Sequence, residues 1–315
     1  MENEKNKEES NAKAESETKE TAGKAKKSWT DFFLVPLVLV FLLMLGGSVV
    51  GGLLCLLRRA ILPEVTPFWE IFDMYFTFTG IWIITLLYLA LTKKNRPILK
   101  ALGTKMKGNN VKLLLLGLLI GFGTNAICIL AAWLHGDIYL YYDSFPVIRL
   151  LALFIVVFIQ SSAEELLCRG VLYQRLRKGY KHPAVAILGN AVLFSALHLG
   201  NPGVTPLALI NIMITGIMFS LMTYYFDSIW CAMAAHAAWN FNQNIIFGLP
   251  NSGAVSPVSV LKLDATTAVD SFAYNVGFGV EGTIFACVVL VVGSIIIWLI
   301  GQKKGMKPTE VMINS

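Results

Sequence analysis

Residues 150–174 read LLALFIVVFIQSSAEELLCRGVLYQ, an apolar run with two adjacent glutamates and an arginine set inside it. Crossing a bilayer as a helix takes about 20 predominantly apolar residues, with a range of roughly 17–25. This stretch meets that length, and seven others resemble it: about 32–57, 68–92, 112–134, 183–200, 205–225, 229–247 and 281–301. The fifth to seventh segments in chain order are shorter and carry Asn, His, Pro and Gly. Helices look like this when they face protein or a cavity rather than lipid.

Composition agrees. The chain of 315 residues is 56% hydrophobic and 15% charged, with mean hydropathy +0.64; soluble domains carry about 25% charged residues. The predicted fold class is therefore all-α, a polytopic membrane helix bundle of about eight transmembrane helices. The net charge of +6 does not point to nucleic acid. The basic residues flank apolar segments, where lipid topology accounts for them.

Lys93, Lys94, Arg96, Lys100, Lys105, Lys107 and Lys112 fill one connection without an acidic residue, and Arg175, Arg177, Lys178 and Lys181 fill another. With Lys24, Lys26 and Lys27 before the first span and Lys303, Lys304 and Lys307 after the last, eight spans put every cluster on one face. By the positive-inside rule that face, and both termini, are expected to be cytoplasmic. Arg58 and Arg59 dissent, falling at the opposite interface. Trp133, Tyr139, Tyr141 and Tyr142 read as an aromatic belt there.

Three regions are expected: a tail 1–30, a membrane domain 31–302 whose motif-bearing part spans 150–247, and a short cytoplasmic tail 303–315. The first 28 residues hold seven Glu and seven Lys with no aliphatic side chain larger than Ala after Met1. Such a segment buries too little apolar surface to offset its ordering entropy and is expected to be disordered. Cys55, Cys128, Cys168, Cys231 and Cys287 all lie in apolar segments without a CxxC pair, so they suggest packing rather than a disulfide framework or a structural zinc site. The Gly- and Pro-containing stretches 200–206 and 248–280 read as ordinary solvated loops.

An ionisable side chain inside an apolar span costs roughly 2.5–3.5 kcal/mol or more. Glu164, Glu165, Arg169, His198 and His236 are such residues. Glu165 and Arg169, four apart with the acid first, can neutralise each other on one helix face; a buried structural ion pair is the plainest account of them. Cys168 lies one turn below Glu164, so Glu164 has no such local partner and must find one on another helix or hold a proton. His236 and Asn240 share a face of the seventh segment. At about 1.5 Å per residue, Glu164 and His198 lie roughly 20 Å deep, and His236 is at comparable depth. Each polar residue alone could be a packing or interhelical hydrogen-bonding group. Together they form a set that does chemistry: a carboxylate can take a proton from water, and an imidazole and an amide can stabilise an oxyanion. One Glu and two His (Glu164, His198 and His236) also form a ligand set for catalytic zinc. Metal-bound and metal-free water both remain open.

The strings Glu164-Glu165-x-x-x-Arg169, Phe194-x-x-x-His198 and His236-x-x-x-Asn240 resemble, in order, the three motifs of the CPBP family of intramembrane proteases, also called the CAAX protease or Abi family. The resemblance implies Glu164 as the catalytic glutamate that activates water and His198 as its partner. It implies His236 and Asn240 in oxyanion stabilisation or metal contact, and Glu165 and Arg169 in support. It further implies a protein or peptide substrate at the membrane and a bacterial cell-membrane location. A fainter match is Gly279-Val280-Glu281-Gly282, similar to an element of some bacterial relatives. Two rival readings remain: a non-catalytic scaffold or immunity-type protein that binds a partner, and a proton-coupled transporter. Intramembrane Glu, Arg and His suit a transporter, but the chain shows no duplicated half.

Overall fold

The computed structural model describes residues 29–305 and 308–312. The expected disordered tail lies outside them except for Trp29 and Thr30, as do Lys24, Lys26, Lys27 and Lys307.

All eight expected segments are helical. We number the principal helices α1 (Leu34–Ile61), α2 (Pro67–Phe76), α3 (Thr79–Leu91), α4 (Val111–His135), α5 (Val147–Glu165), α6 (Tyr173–Gly179), α7 (Pro183–Ala196), α8 (Pro206–Tyr225), α9 (Ile229–Asn240) and α10 (Ile284–Lys304). Helices α2 and α3 together make one span, and α5 runs through a π-helical stretch, Leu166–Leu172, into α6. Six of the eight segments are long and apolar enough to cross a membrane. The two shorter ones are α7 and α9, the latter extended by a second π-helical stretch, Phe241–Ile246. Two three-residue strands, β1 (Leu140–Tyr142) and β2 (Leu261–Leu263), pair antiparallel.

The helix starts follow from local chemistry. Thr66, Asn110, Thr205, Ser228 and Thr283 stand just before apolar runs, and each side chain accepts a hydrogen bond from a backbone N–H of the first turn. Pro67, Pro183 and Pro206 occupy first helical positions, where the missing N–H costs nothing. Gly136 and Gly305 end α4 and α10 in the left-handed conformation.

Helix α9 is the axis of the bundle. All its residues except Trp230 are buried, and it packs against α4, α5 and α8. Small residues allow the closest of these crossings. A Cβ on Gly117 would fall 2.2 Å from the carbonyl oxygen of Cys231, and one on Gly121 would fall 2.0 Å from that of Ala235. The outer helices turn Leu, Val, Ile and Phe outward, as on α1 and α10, where chains such as Leu53, Leu57, Val288 and Leu299 are exposed. Lipid is the natural solvent for that surface.

The dissenting Arg58 and Arg59 have a structural explanation. Both pair with Asp73 of α2, at 2.5 and 2.9 Å, and the Arg58 guanidinium also lies over the Trp69 ring. Asp73 was not singled out in the sequence, where its pairing with two arginines of α1 cannot be seen.

Candidate active site

Several elements converge on one cavity of about 370 Å³, lined among others by Gln160, Glu164, His198, His236, Asn240 and Asn251. Helix α5 supplies Gln160 and Glu164, and α9 supplies His236 and Asn240. His198 sits in the turn just after α7, not within the helix as the apolar run suggested; its backbone N–H bonds the Ser195 carbonyl. Both glutamates close α5, and Asn240 closes α9, immediately before the two π-helical stretches. π-helical segments accompany functional sites because the widened turn redirects side chains relative to a regular helix.

Glu165 and Arg169 are fully buried and joined at 2.8 Å, as their spacing suggested. The pair is not self-contained. Arg169 also donates to the Gly216 carbonyl at 2.8 Å and lies over the rings of Phe194 and Phe219. The same Glu165 oxygen lies 3.0 Å from Nδ1 of His236. An ionised carboxylate only accepts, so this partner assigns the proton to Nδ1 and leaves Nε2 facing Glu164. Phe219 stacks on the His236 ring and Phe194 meets it edge-on. His198 is set likewise: Nδ1 lies 2.7 Å from the Phe194 carbonyl, which can only accept, so Nδ1 carries the proton. In both neutral rings Nε2 then holds the lone pair.

Glu164 does have a local partner, one turn before it rather than one turn after. Gln160 donates to its Oε1 at 2.7 Å. Its Oε2 is buried without a hydrogen bond, 3.8 Å from Nε2 of His236. That gap is too long for a direct bond and suits a single bridging water. Asn240 donates to Gln160 at 3.1 Å and to Ser161 at 3.2 Å, while its Oδ1 accepts from Asn251 at 3.2 Å.

The segment 248–280 is not a plain solvated loop. Its strand β2 pairs with β1, Asn244 donates to the carbonyls of Leu249 and Ala254, and Gln243 donates to that of Pro250. Asn251, Ser259, Tyr274 and Phe278 are buried. The loop thus walls the cavity and brings Asn251 and Ser252 to it. Glu281, just before α10, accepts hydrogen bonds from Trp239, Asn251 and Ser252.

Whether Glu164, His198 and His236 fit a zinc ion depends on how they converge. Among the described residues no three His, Cys, Asp or Glu side chains come close enough to hold a metal ion. The two Nδ1 atoms are already engaged. In this arrangement the three residues do not form a closed ligand set.

A shallower groove of about 660 Å³ runs between α1 and α2 and shares Ser48 and Met74 with the cavity.

Residues 143–242 match a family model described as type II CAAX prenyl endopeptidase, Rce1-like. No curated protein and no solved structure matches the chain. The matched region holds all three motifs, from Glu164 to Asn240, and so agrees with the family that the motifs resemble. Residues 143–242 of this integral membrane chain are thus similar to the domain of type II CAAX endopeptidases.

Proposed function

We propose that the protein hydrolyses a peptide bond of a membrane-associated protein or peptide by a general-base mechanism centred on Glu164. The observation that carries this reading is the unequal treatment of the Glu164 oxygens. Oε1 is held by Gln160, while Oε2 has no hydrogen bond and lies 3.8 Å from Nε2 of His236. A water held between Oε2 and Nε2 of His236, donating one hydrogen to each, gives the first to Glu164 as its oxygen attacks the scissile carbonyl. The carbonyl becomes an oxyanion. Asn240 faces it, exchanging its long bond to Ser161 for the new acceptor. Collapse breaks the C–N bond, and Glu164 returns the proton to the departing amine. His198, which lines the same cavity, accepts a hydrogen bond at Nε2 from a backbone N–H of the substrate. Glu165 and Arg169 act only through His236, by fixing its ring and tautomer. Zinc, if bound by Glu164, His198 and His236 after rearrangement, would polarise water and carbonyl; no step above depends on it.

The test uses protein reconstituted in liposomes and a peptide panel including prenylated CAAX ends and unprenylated apolar sequences, with products read by mass spectrometry. Glu164→Gln, His198→Ala and His236→Ala are each expected to abolish cleavage at unchanged protein level. Lys112→Ala, on the exposed start of α4, is expected to match the wild type. Cleavage that survives Glu164→Gln would sink the general-base reading. Stringent chelation is expected to leave activity unchanged; loss restored by zinc would show that the ligand set closes around metal. We also propose that both termini face the cytoplasm, as the Lys and Arg clusters favour. Protease digestion of terminal tags in sealed vesicles of both orientations checks this.

A further inference from the structure

The proposed mechanism gives Glu281 nothing to do, yet it is a buried carboxylate beside the site. It belongs to the segment Gly279-Val280-Glu281-Gly282, which breaks the chain just before α10. Its Oε1 accepts from Nε1 of Trp239 at 2.8 Å and from Nδ2 of Asn251 at 3.0 Å; its Oε2 accepts from the backbone N–H of Ser252 at 2.7 Å and from the Ser252 hydroxyl at 3.2 Å. A buried carboxylate that accepts four hydrogen bonds from three residues is a fixed point of the structure.

What it fixes leads to Asn240. The amide nitrogen of Asn251 has two hydrogens, one directed to Glu281 and the other to Oδ1 of Asn240. An Asn side chain can present either its oxygen or its nitrogen in a given direction. A donor held against Oδ1 settles the choice for Asn240 and turns its NH₂ group toward α5 and the cavity. The segment holding Asn251 would not keep this shape by itself. Ser252 has φ +49 and Gly253 φ +87, and a Cβ on Gly253 would come 2.0 Å from the Pro202 carbonyl oxygen. A non-glycine residue at positive φ persists when its surroundings over-determine it. Both Ser252 contacts with Glu281 supply that restraint.

We propose that Glu281 is a positioning residue for the hydrolysis. By holding Asn251 and Ser252, it sets the amide orientation of Asn240 in which that residue donates to the oxyanion. The inference rests on the oxyanion role proposed for Asn240. It makes the 250–254 segment part of the machinery rather than a connection.

Two measurements test it. In the first, kcat and KM are determined for Glu281→Gln and Asn251→Ala, each alone and combined with Asn240→Ala. Glutamine keeps the volume but replaces one acceptor by a donor. Each single change is expected to lower kcat about 10–100-fold with KM within about threefold, the pattern of a misaligned group. On the Asn240→Ala background each is expected to add less than about twofold, because the relay then has no end point. Unchanged kcat, or losses that multiply fully with Asn240→Ala, would overturn the proposal. In the second, amide hydrogen exchange of residues 250–254 is followed in Glu164→Gln protein with and without Glu281→Gln. Faster exchange in the double variant is expected; equal exchange would overturn the anchoring role. This readout needs no turnover. If Glu164→Gln protein still cleaves, the general-base reading fails while the exchange experiment still decides the role of Glu281.

Discussion

One oxygen of Glu165 serves two partners, Arg169 and His236, in a place with no solvent exposure. Removing one member of a buried ion pair strands the other charge, at a cost of about 3–5 kcal/mol, whereas replacing both with apolar groups is often neutral. Arg169→Met is therefore expected to unfold far below the wild type in a thermal melt in detergent. Glu165→Leu combined with Arg169→Met is expected to recover most of that stability. Activity should not return with it, since His236 then lacks the acceptor that orients Nδ1. Gln160 allows a milder test. Gln160→Leu removes its bonds to Glu164 and Asn240, so we expect a stability loss of about 1 kcal/mol and a kcat at least about tenfold lower. The role of Gln160 shows how far the residues could be read in advance. Glu164, Glu165, Arg169, His198 and His236 stood out because each is costly inside an apolar run. Gln160, Asn251 and Ser252 carry no charge, and their importance comes from partners 80, 11 and 29 residues away.

Among the elements, the crossing of α4 and α9 bears most directly on the site, because Gly121 touches the backbone of Ala235, the residue before His236. Gly121→Val places a branched side chain where a carbonyl oxygen already lies. It is expected to cost about 2–3 kcal/mol by overpacking and to displace His236, which a lowered melting temperature together with lost cleavage would reveal. The helices themselves were legible, since long apolar runs bounded by Asn, Thr, Ser, Pro and Gly allow little else. The π-helical stretches after Glu165 and Asn240 were not. A π turn leaves no periodicity of its own and arises from how the flanking helices must pack. The 248–280 segment was hidden for a related reason. Its Asn, Ser, Gly and Pro residues have the composition of a solvated loop, and the partners that bury it, such as Asn244, Gln243, Asp137 and strand β1, lie elsewhere in the chain.

For the whole molecule, the segment 308–312 clasps the end of the bundle opposite strand β1. Thr309 donates from its backbone N–H and its hydroxyl to Asp227 at 2.7 and 2.6 Å, Arg177 pairs with Glu310, and Val311 and Met312 are buried. Ending the chain after Lys304 is expected to lower the melting temperature by several degrees, corresponding to about 2 kcal/mol. A truncated protein that melts with the wild type would show the clasp to be dispensable.

The pairing of Arg58 and Arg59 with Asp73 bears on how the chain enters the bilayer during synthesis. Helix α1 emerges from the ribosome before α2, with two cations at its far end, and their partner arrives only with α2. Until then α1 carries a charge that favours sliding back. The first two spans should therefore insert as a hairpin, and Asp73→Ala should reduce the amount of protein in the membrane more than it reduces the activity of the molecules that get there.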